Sequence, residues 1–149
     1  NDSKKISEKI RNQLRIDIEN KATAIGIGIV DEKKIDQVNI LQASLLAMHL
    51  AIKNLNTIPT YLIIDGNKFN SYPNISHNCI VKGDSKFMNI AAASIIAKTY
   101  RDELMDELSK KYIHYLWDKN KGYPTKKHKE MIKKWGLTPQ HRKTFKQPI

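Results

Sequence analysis

The run Tyr61-Leu62-Ile63-Ile64-Asp65 constrains this chain more than any other stretch. Pro59 breaks the chain just before it, and the run is too short for a helix. It is apolar at consecutive positions, as a strand covered on both faces would be. Asp65-Gly66-Asn67 ends it with turn chemistry. A second short apolar run, Cys79-Ile80-Val81, leads through Lys82-Gly83 into Asp84 and a long alanine-rich segment. That composition predicts a helix lying close against a neighbour.

Helical periods separate these runs from the N-terminus. Ile10, Leu14 and Ile18 recur every four residues between charged side chains, which predicts an amphipathic helix over 7–21. Leu41, Leu45, Met48, Ile52 and Leu55 predict a second helix after the polar connection 31–39. His49 within it reads as a structural histidine. Between the two, Ile25, Ile27 and Ile29 alternate with Gly26 and Gly28, the period of a strand with one bare backbone face that something must approach closely. Val30-Asp31 stand where a phosphate-cradling loop would need its third glycine. Strands alternating with helices give an α/β domain whose sheet is at least partly parallel.

The 149 residues fit one domain, with 1–118 as the core and 119–149 as a basic, turn-rich C-terminal segment. With 26 Lys and Arg against 15 Asp and Glu, the net charge of +11 favours an anionic partner, nucleic acid or an acidic membrane surface. No uninterrupted apolar run approaches the roughly 20 residues of a bilayer span, so a soluble, cytoplasmic, monomeric protein is expected. Cys79, the single cysteine, excludes an intrachain disulfide and a cysteine zinc cluster, and reads as a small buried residue.

In open α/β sheets ligands gather at the carboxyl ends of parallel strands, where this reading puts Asp65 and Asp84. Two carboxylates brought together repel unless a cation lies between them, and hard oxygen donors suit Mg²⁺ or Mn²⁺. Asp84 is also expected at a helix N-terminus, where the macrodipole favours its charge. The plainer reading stays open: aspartate before Gly-Asn is a common turn residue, and Asp-Ser a common cap. Asp102 is expected to pair with Lys98 or Arg101.

The stretches "NDSKKISEK", "VNILQASLLAM", "LIIDGN", "VKGDSKFMNIAAASIIAKTYRDELM", "NKGYPTKKH" and "HRKTFK" occur in the order and spacing of bacterial type 2 ribonuclease H, and the chain resembles that family along its whole length. The resemblance implies a ribonuclease H-like mixed sheet flanked by helices, with a helical C-terminal part that grips the substrate. It implies an endonuclease, dependent on Mg²⁺ or Mn²⁺ in a two-metal mechanism. Its substrates would be RNA·DNA hybrids and DNA duplexes containing ribonucleotides, cut on the 5′ side of the ribonucleotide. Asp65 and Asp84 match two of four active-site carboxylates. Tyr123 matches the tyrosine that packs on the sugar at the ribo-to-deoxyribonucleotide junction, with Asn120 where a histidine is usual. Ser3, Lys4, His141 and Arg142, with Lys143, match or neighbour backbone-gripping positions.

One departure goes with this match. The family's strand bearing an adjacent Asp-Glu pair and a Gly-Arg-Gly turn has no counterpart among these residues, since Asp31-Glu32, Asp102-Glu103 and Asp106-Glu107 lack such a turn. The first strands of the sheet are therefore expected to be missing. The alternative function is that of an inactive fragment that only binds nucleic acid.

Overall fold

The computed structural model describes residues 7–145. Ser7 caps helix α1 (Glu8–Lys21), its hydroxyl accepting from the Ile10 amide. The helix lies against α3 (Met88–Lys111) through a face that includes Arg11, Leu14 and Ile18, while Ile10 stays exposed. Arg11 reaches Asp102 at 3.1 Å in a buried ion pair, and Lys98 joins the same carboxylate at 3.1 Å. Removing one partner of such a pair strands a charge away from water, which gives the two helices a fixed register. Arg101, the other partner expected for Asp102, instead donates to the Lys121 carbonyl.

Residues 22–30 run extended along α2 (Glu32–Lys53) but have no ladder partner among the described residues, where a strand is expected from the alternation. The bare face has a direct cause. A Cβ on Gly28 would lie 1.9 Å from the Ala47 carbonyl oxygen, and one on Gly26 2.1 Å from that of Ala51. The Asn54 amide fastens the segment by donating to the Ile27 carbonyl at 2.7 Å.

Helix α2 begins earlier than its apolar period suggests. Asp31 caps it through the Lys34 amide at 2.8 Å, so the polar connection is itself helical. Asn39 then breaks the helix at φ 70°, and its side chain recaps the second half by accepting from the Gln42 amide. At 22 residues α2 has the length and composition of a bilayer span, a length that single apolar runs do not reveal. The break at Asn39 leaves 40–53 as the longer regular piece, short of the roughly 20 residues a span requires.

Strands β1 (Tyr61–Asp65) and β2 (Ser76–Ile80) pair in parallel, Tyr61 opposite Ser76 and Asp65 opposite Ile80. Residues 66–75 connect them without a helix. His49 of α2 holds this short crossover: its Nε2 is 2.7 Å from the Asn70 carbonyl, and its ring packs on Phe69 and Tyr72. It is a structural histidine, as its place in the helix suggests. Cys79, expected to be buried, is exposed on β2, which has a strand neighbour on one side only among the described residues.

Ala43 and Leu45 of α2, Leu62 of β1, and Ile90, Ile95 and Ile96 of α3 are buried, and α3 packs on β1. A second cluster forms where α3 ends: Met105, Tyr115 and Trp117 close over Leu108, Tyr112, Met131 and Ile132. It joins α3, the 3-10 turn Ile113–Tyr115, α4 (Trp117–Asn120) and α5 (Lys126–Trp135). The division placed between residues 118 and 119 falls inside α4, with Tyr115 and Trp117 packed on the histidines that follow it.

Candidate active site and nucleic-acid interface

Parallel register levels the ends of β1 and β2, and the Gly66 amide extends the pairing by donating to the Ile80 carbonyl at 2.9 Å. Past Ile80 the chain turns sharply. Lys82 takes the left-handed conformation (φ 55°, ψ 44°), and its carbonyl accepts from both the amide and the hydroxyl of Ser85. The 3-10 turn Gly83–Ser85 follows, carrying Asp84.

Asp65 reaches across from β1 and its Oδ1 accepts from the Gly83 amide at 2.8 Å. Gly83 is buried, and a Cβ there would sit 2.5 Å from Ile90 Cδ1 and 3.4 Å from Asp65 Oδ1. A side chain at this position would have to displace the end of Ile90 where strand end, turn and α3 meet. One carboxylate thus holds the residue directly before the other. Asp65 is exposed and Asp84 half-buried, and among the described residues neither is in a salt bridge.

Asp84 does not stand at the start of α3, as expected from the sequence. The helix begins at Met88 after Phe87, so its dipole acts on Asp84 only from beyond the intervening turn. What fixes the residue is the turn and the Asp65–Gly83 bond. Among the described residues no third His, Cys, Asp or Glu completes a ligand cluster. Two carboxylates with open surroundings still fit a small hard cation, which is commonly held by one or two carboxylates with water and substrate phosphate filling the remaining positions.

Tyr123 lies beyond α4 and is exposed. Asn120 builds the loop that carries it: its Nδ2 donates to the Tyr115 carbonyl at 2.7 Å, its Oδ1 accepts from the Gly122 amide at 2.8 Å, and its own carbonyl accepts from the Tyr123 amide. An amide side chain thus satisfies the loop at the position where the resemblance leads one to expect histidine.

His141 and Arg142 part company in space. The His141 ring is turned inward onto Tyr115, Trp117 and His128, and its Nδ1 accepts from the Thr138 amide at 3.0 Å. Burial and the neighbouring His128 bring its pKa down to about 4, so it offers no charge to a phosphate near neutral pH. Arg142 lays its guanidinium over the Phe145 ring at 3.6 Å, and burial together with Arg101 lowers its pKa from the usual guanidinium range. Ser3 and Lys4 lie outside the described residues.

The sequence reading missed Arg11, His128 and Asp36. Arg11 shares the inward spacing of Leu14 and Ile18, which is its only local signal. Asp36 accepts from the Lys143 and Thr144 amides and the Thr144 hydroxyl, and no local pattern foretells such a contact.

The fold is that of a type 2 ribonuclease H. The crystal structure of the ribonuclease H2 from Pyrococcus horikoshii OT3 superimposes with a TM-score of 0.79 at 23% identity, over 97% of this chain and 75% of that one. Residues 1–148 match the ribonuclease HII family model. The chain is 57% identical to a ribonuclease HII of Parabacteroides distasonis, covering 97% of its own length and 73% of that relative. It is 54% identical to one of Bacteroides thetaiotaomicron, with 97% and 72% covered. The chain belongs to the ribonuclease HII family.

Proposed function

We propose that this type 2 ribonuclease H hydrolyses the RNA strand of RNA·DNA hybrids and the phosphodiester on the 5′ side of ribonucleotides embedded in duplex DNA, with Asp65 and Asp84 as ligands to Mg²⁺ or Mn²⁺. The observation that carries this reading is the bond from the Gly83 amide to Asp65, which ties two carboxylate-bearing segments together at the open ends of parallel strands. Bound divalent cations would supply a water nucleophile of lowered pKa and neutralise charge on the leaving oxygen. The chain's own part is positional. Asp65 and Asp84 hold negative charge at one place, the Gly83 amide orients the first, and the turn at Lys82 orients the second.

The basic C-terminal segment grips the duplex in this reading. Tyr123 offers an exposed ring to a sugar, and Arg142, Lys143, Ser3 and Lys4 are the proposed phosphate contacts, with His141 serving the scaffold behind them. Backbone contacts of this kind position a duplex without reading its sequence. A second reading, binding without cleavage, is favoured because no group of three or more His, Cys, Asp or Glu comes together among the described residues.

A DNA duplex carrying one ribonucleotide separates the two. Metal-dependent cleavage that leaves a 3′-hydroxyl on the 5′ side of the ribonucleotide supports the first. Salt-sensitive binding with no cleavage in either metal supports the second. Cleavage of all-DNA duplex at an equal rate would sink both.

A further inference from the structure

Two histidines of the C-terminal part are joined to each other and, through Thr125, to the loop of Tyr123. His128 of α5 is 4% exposed, and its Nε2 lies 3.2 Å from Nε2 of His141, the rings nearly perpendicular at 80°. The other nitrogen of His141, Nδ1, accepts the Thr138 amide hydrogen at 3.0 Å and lies 2.9 Å from the Thr138 hydroxyl.

A backbone amide can only donate, so His141 Nδ1 is bare and the neutral ring carries its hydrogen on Nε2. That hydrogen points at His128 Nε2, which must then be bare as well. The hydrogen of His128 is left on Nδ1, on the buried side of the ring, where no partner meets it. The Tyr123 loop is tied to His128 through Thr125, whose hydroxyl accepts from the His128 amide at 3.2 Å and whose amide donates to the Tyr123 carbonyl at 2.8 Å. Both bare nitrogens are therefore accepting. A proton added to His128 Nε2 sets two donors face to face between the rings, and one added to His141 Nδ1 costs the Thr138 amide contact and leaves only the Thr138 hydroxyl to accept it.

We infer that His128 and His141 form a neutral pair of opposite tautomers that positions the Tyr123 loop, and that protonation of the pair releases this loop. The link to substrate rests on the proposed role of Tyr123 as a sugar contact; the pair itself does not. Its titratable neighbour is Tyr115, whose ring packs on both imidazoles while its hydroxyl donates to the Gly136 carbonyl at 2.8 Å. Among the described residues no carboxylate forms an ion pair with either ring. Burial lowers both pKa values, and the neighbouring His128 lowers that of His141 further.

The sign follows from linkage. Histidines neutral when folded and free to protonate when unfolded stabilise the fold above the ordinary histidine pKa near 6.5. That contribution is lost as the pH falls toward about 4, where His141 protonates in place.

The test needs no substrate, so it can fail independently of the assigned activity. Ring ¹⁵N shifts of the full chain at neutral pH should show hydrogen on Nε2 of His141 and on Nδ1 of His128. Both rings should stay neutral below the pH at which free histidine titrates, and amide exchange across residues 121–125 should accelerate on the acid limb that protonates them. His141→Phe keeps a ring against Tyr115 and Trp117 but loses both polar contacts, and should exchange at 121–125 about tenfold faster at neutral pH. Matching tautomers, titration of either ring near 6.5, or wild-type loop protection in His141→Phe overturns the inference. Should the variant not fold, the tautomers and acid limb of the wild-type chain still decide it.

Discussion

The two ends of this molecule are finished to different degrees. At the C-terminal end, Trp117 is 2% exposed, Tyr115 5% and His128 4%, and the Tyr115 hydroxyl and His128 Nε2 meet partners within the same unit, while Trp117 Nε1 and His128 Nδ1 meet none. At the carboxylate end, Ile29, Ile58, Tyr61, Val81 and Met88 all stand open to solvent around a sheet of two strands. Apolar area removed from water drives folding at about 25 cal/mol per Å², so the enclosed aromatic rings of the C-terminal end supply stability that the exposed side chains around the sheet do not. The chemistry proposed here resides at the end with less packing to hold it. Its geometry depends instead on short backbone contacts at Lys82, Gly83 and Asp65.

The largest contrast should appear on truncating one aromatic ring at each end. Trp117→Ala removes a ring enclosed by Tyr112, Tyr115, His128 and His141, and should cost about 3–5 kcal/mol in denaturant unfolding. Tyr61→Ala, in a strand but half exposed, should cost less than about 1 kcal/mol. Similar losses at the two sites would mean that the sheet end is covered in solution, by a second copy or by another part of the protein.

Function should divide the opposite way. Asp65→Asn keeps an oxygen to accept from the Gly83 amide, so the melting temperature should change little. It removes a charge from the proposed metal site, and cleavage should fall more than about 100-fold, beyond the 10–100-fold that outer-sphere partners of a metal usually carry. Binding to hybrid should stay within about twofold, because phosphate contacts lie elsewhere. Full activity in this variant would remove Asp65 from the site.

Glycine substitutions probe the contacts that stand in for packing. At Gly28 an added methyl meets the Ala47 backbone carbonyl at 1.9 Å, and neither partner can rotate away. At Gly83 it meets the Ile90 terminal methyl at 2.5 Å, which a new rotamer can relieve. Gly28→Ala should therefore reach or exceed the upper part of the usual overpacking range of about 1–3 kcal/mol, and Gly83→Ala the lower part. Yet Gly83→Ala should weaken metal affinity more, since it alone disturbs Asp65. Calorimetric unfolding and a metal titration of both variants separate the two effects, and an equal metal affinity would detach Gly83 from the site.

What the sequence disclosed follows the same division. The strand Tyr61–Asp65, the helix behind Asp84 and the close approach over Gly26 and Gly28 are all written in local periods, because each depends on which face a residue presents. The Arg11–Asp102 pair spans 91 positions and the Asp36 contacts 107 and 108, and no local period encodes such distances. His141 takes a place its neighbours in sequence do not foretell, for a related reason. In "HRKTFK" it stands among cations and reads as one of them, whereas the turn at Thr138 swings it inward and leaves Arg142 on Phe145. Asn39 breaks α2 with the same side chain that restarts it, so the helix before it, in a polar run, carries no apolar period to announce it.

The smallest expected effect lies where the C-terminal segment returns to the rest of the molecule. Asp36, next to the break in α2, accepts from the Lys143 amide at 2.8 Å, the Thr144 amide at 3.0 Å and the Thr144 hydroxyl at 2.7 Å. The Thr144 bonds hold its carboxyl below the usual carboxylate range. A depressed folded pKa gives stability that is present above the ordinary aspartate value near 4 and is lost only as the pH falls through the lower folded value, so acid should release this segment only below the ordinary aspartate range. Asp36→Ala removes all three acceptor contacts at a solvent-accessible site. Exchange of the Lys143 and Thr144 amides should rise about tenfold while the cores keep their protection, as for any local opening. Hybrid binding should weaken by less than about threefold, because Arg142 keeps its place over Phe145 and loses only the anchor beyond it. Unchanged exchange at 143 and 144 would show that the segment is held elsewhere, and a collapse of stability across α5 would show that the closed end depends on α2 as well as on its own aromatic core.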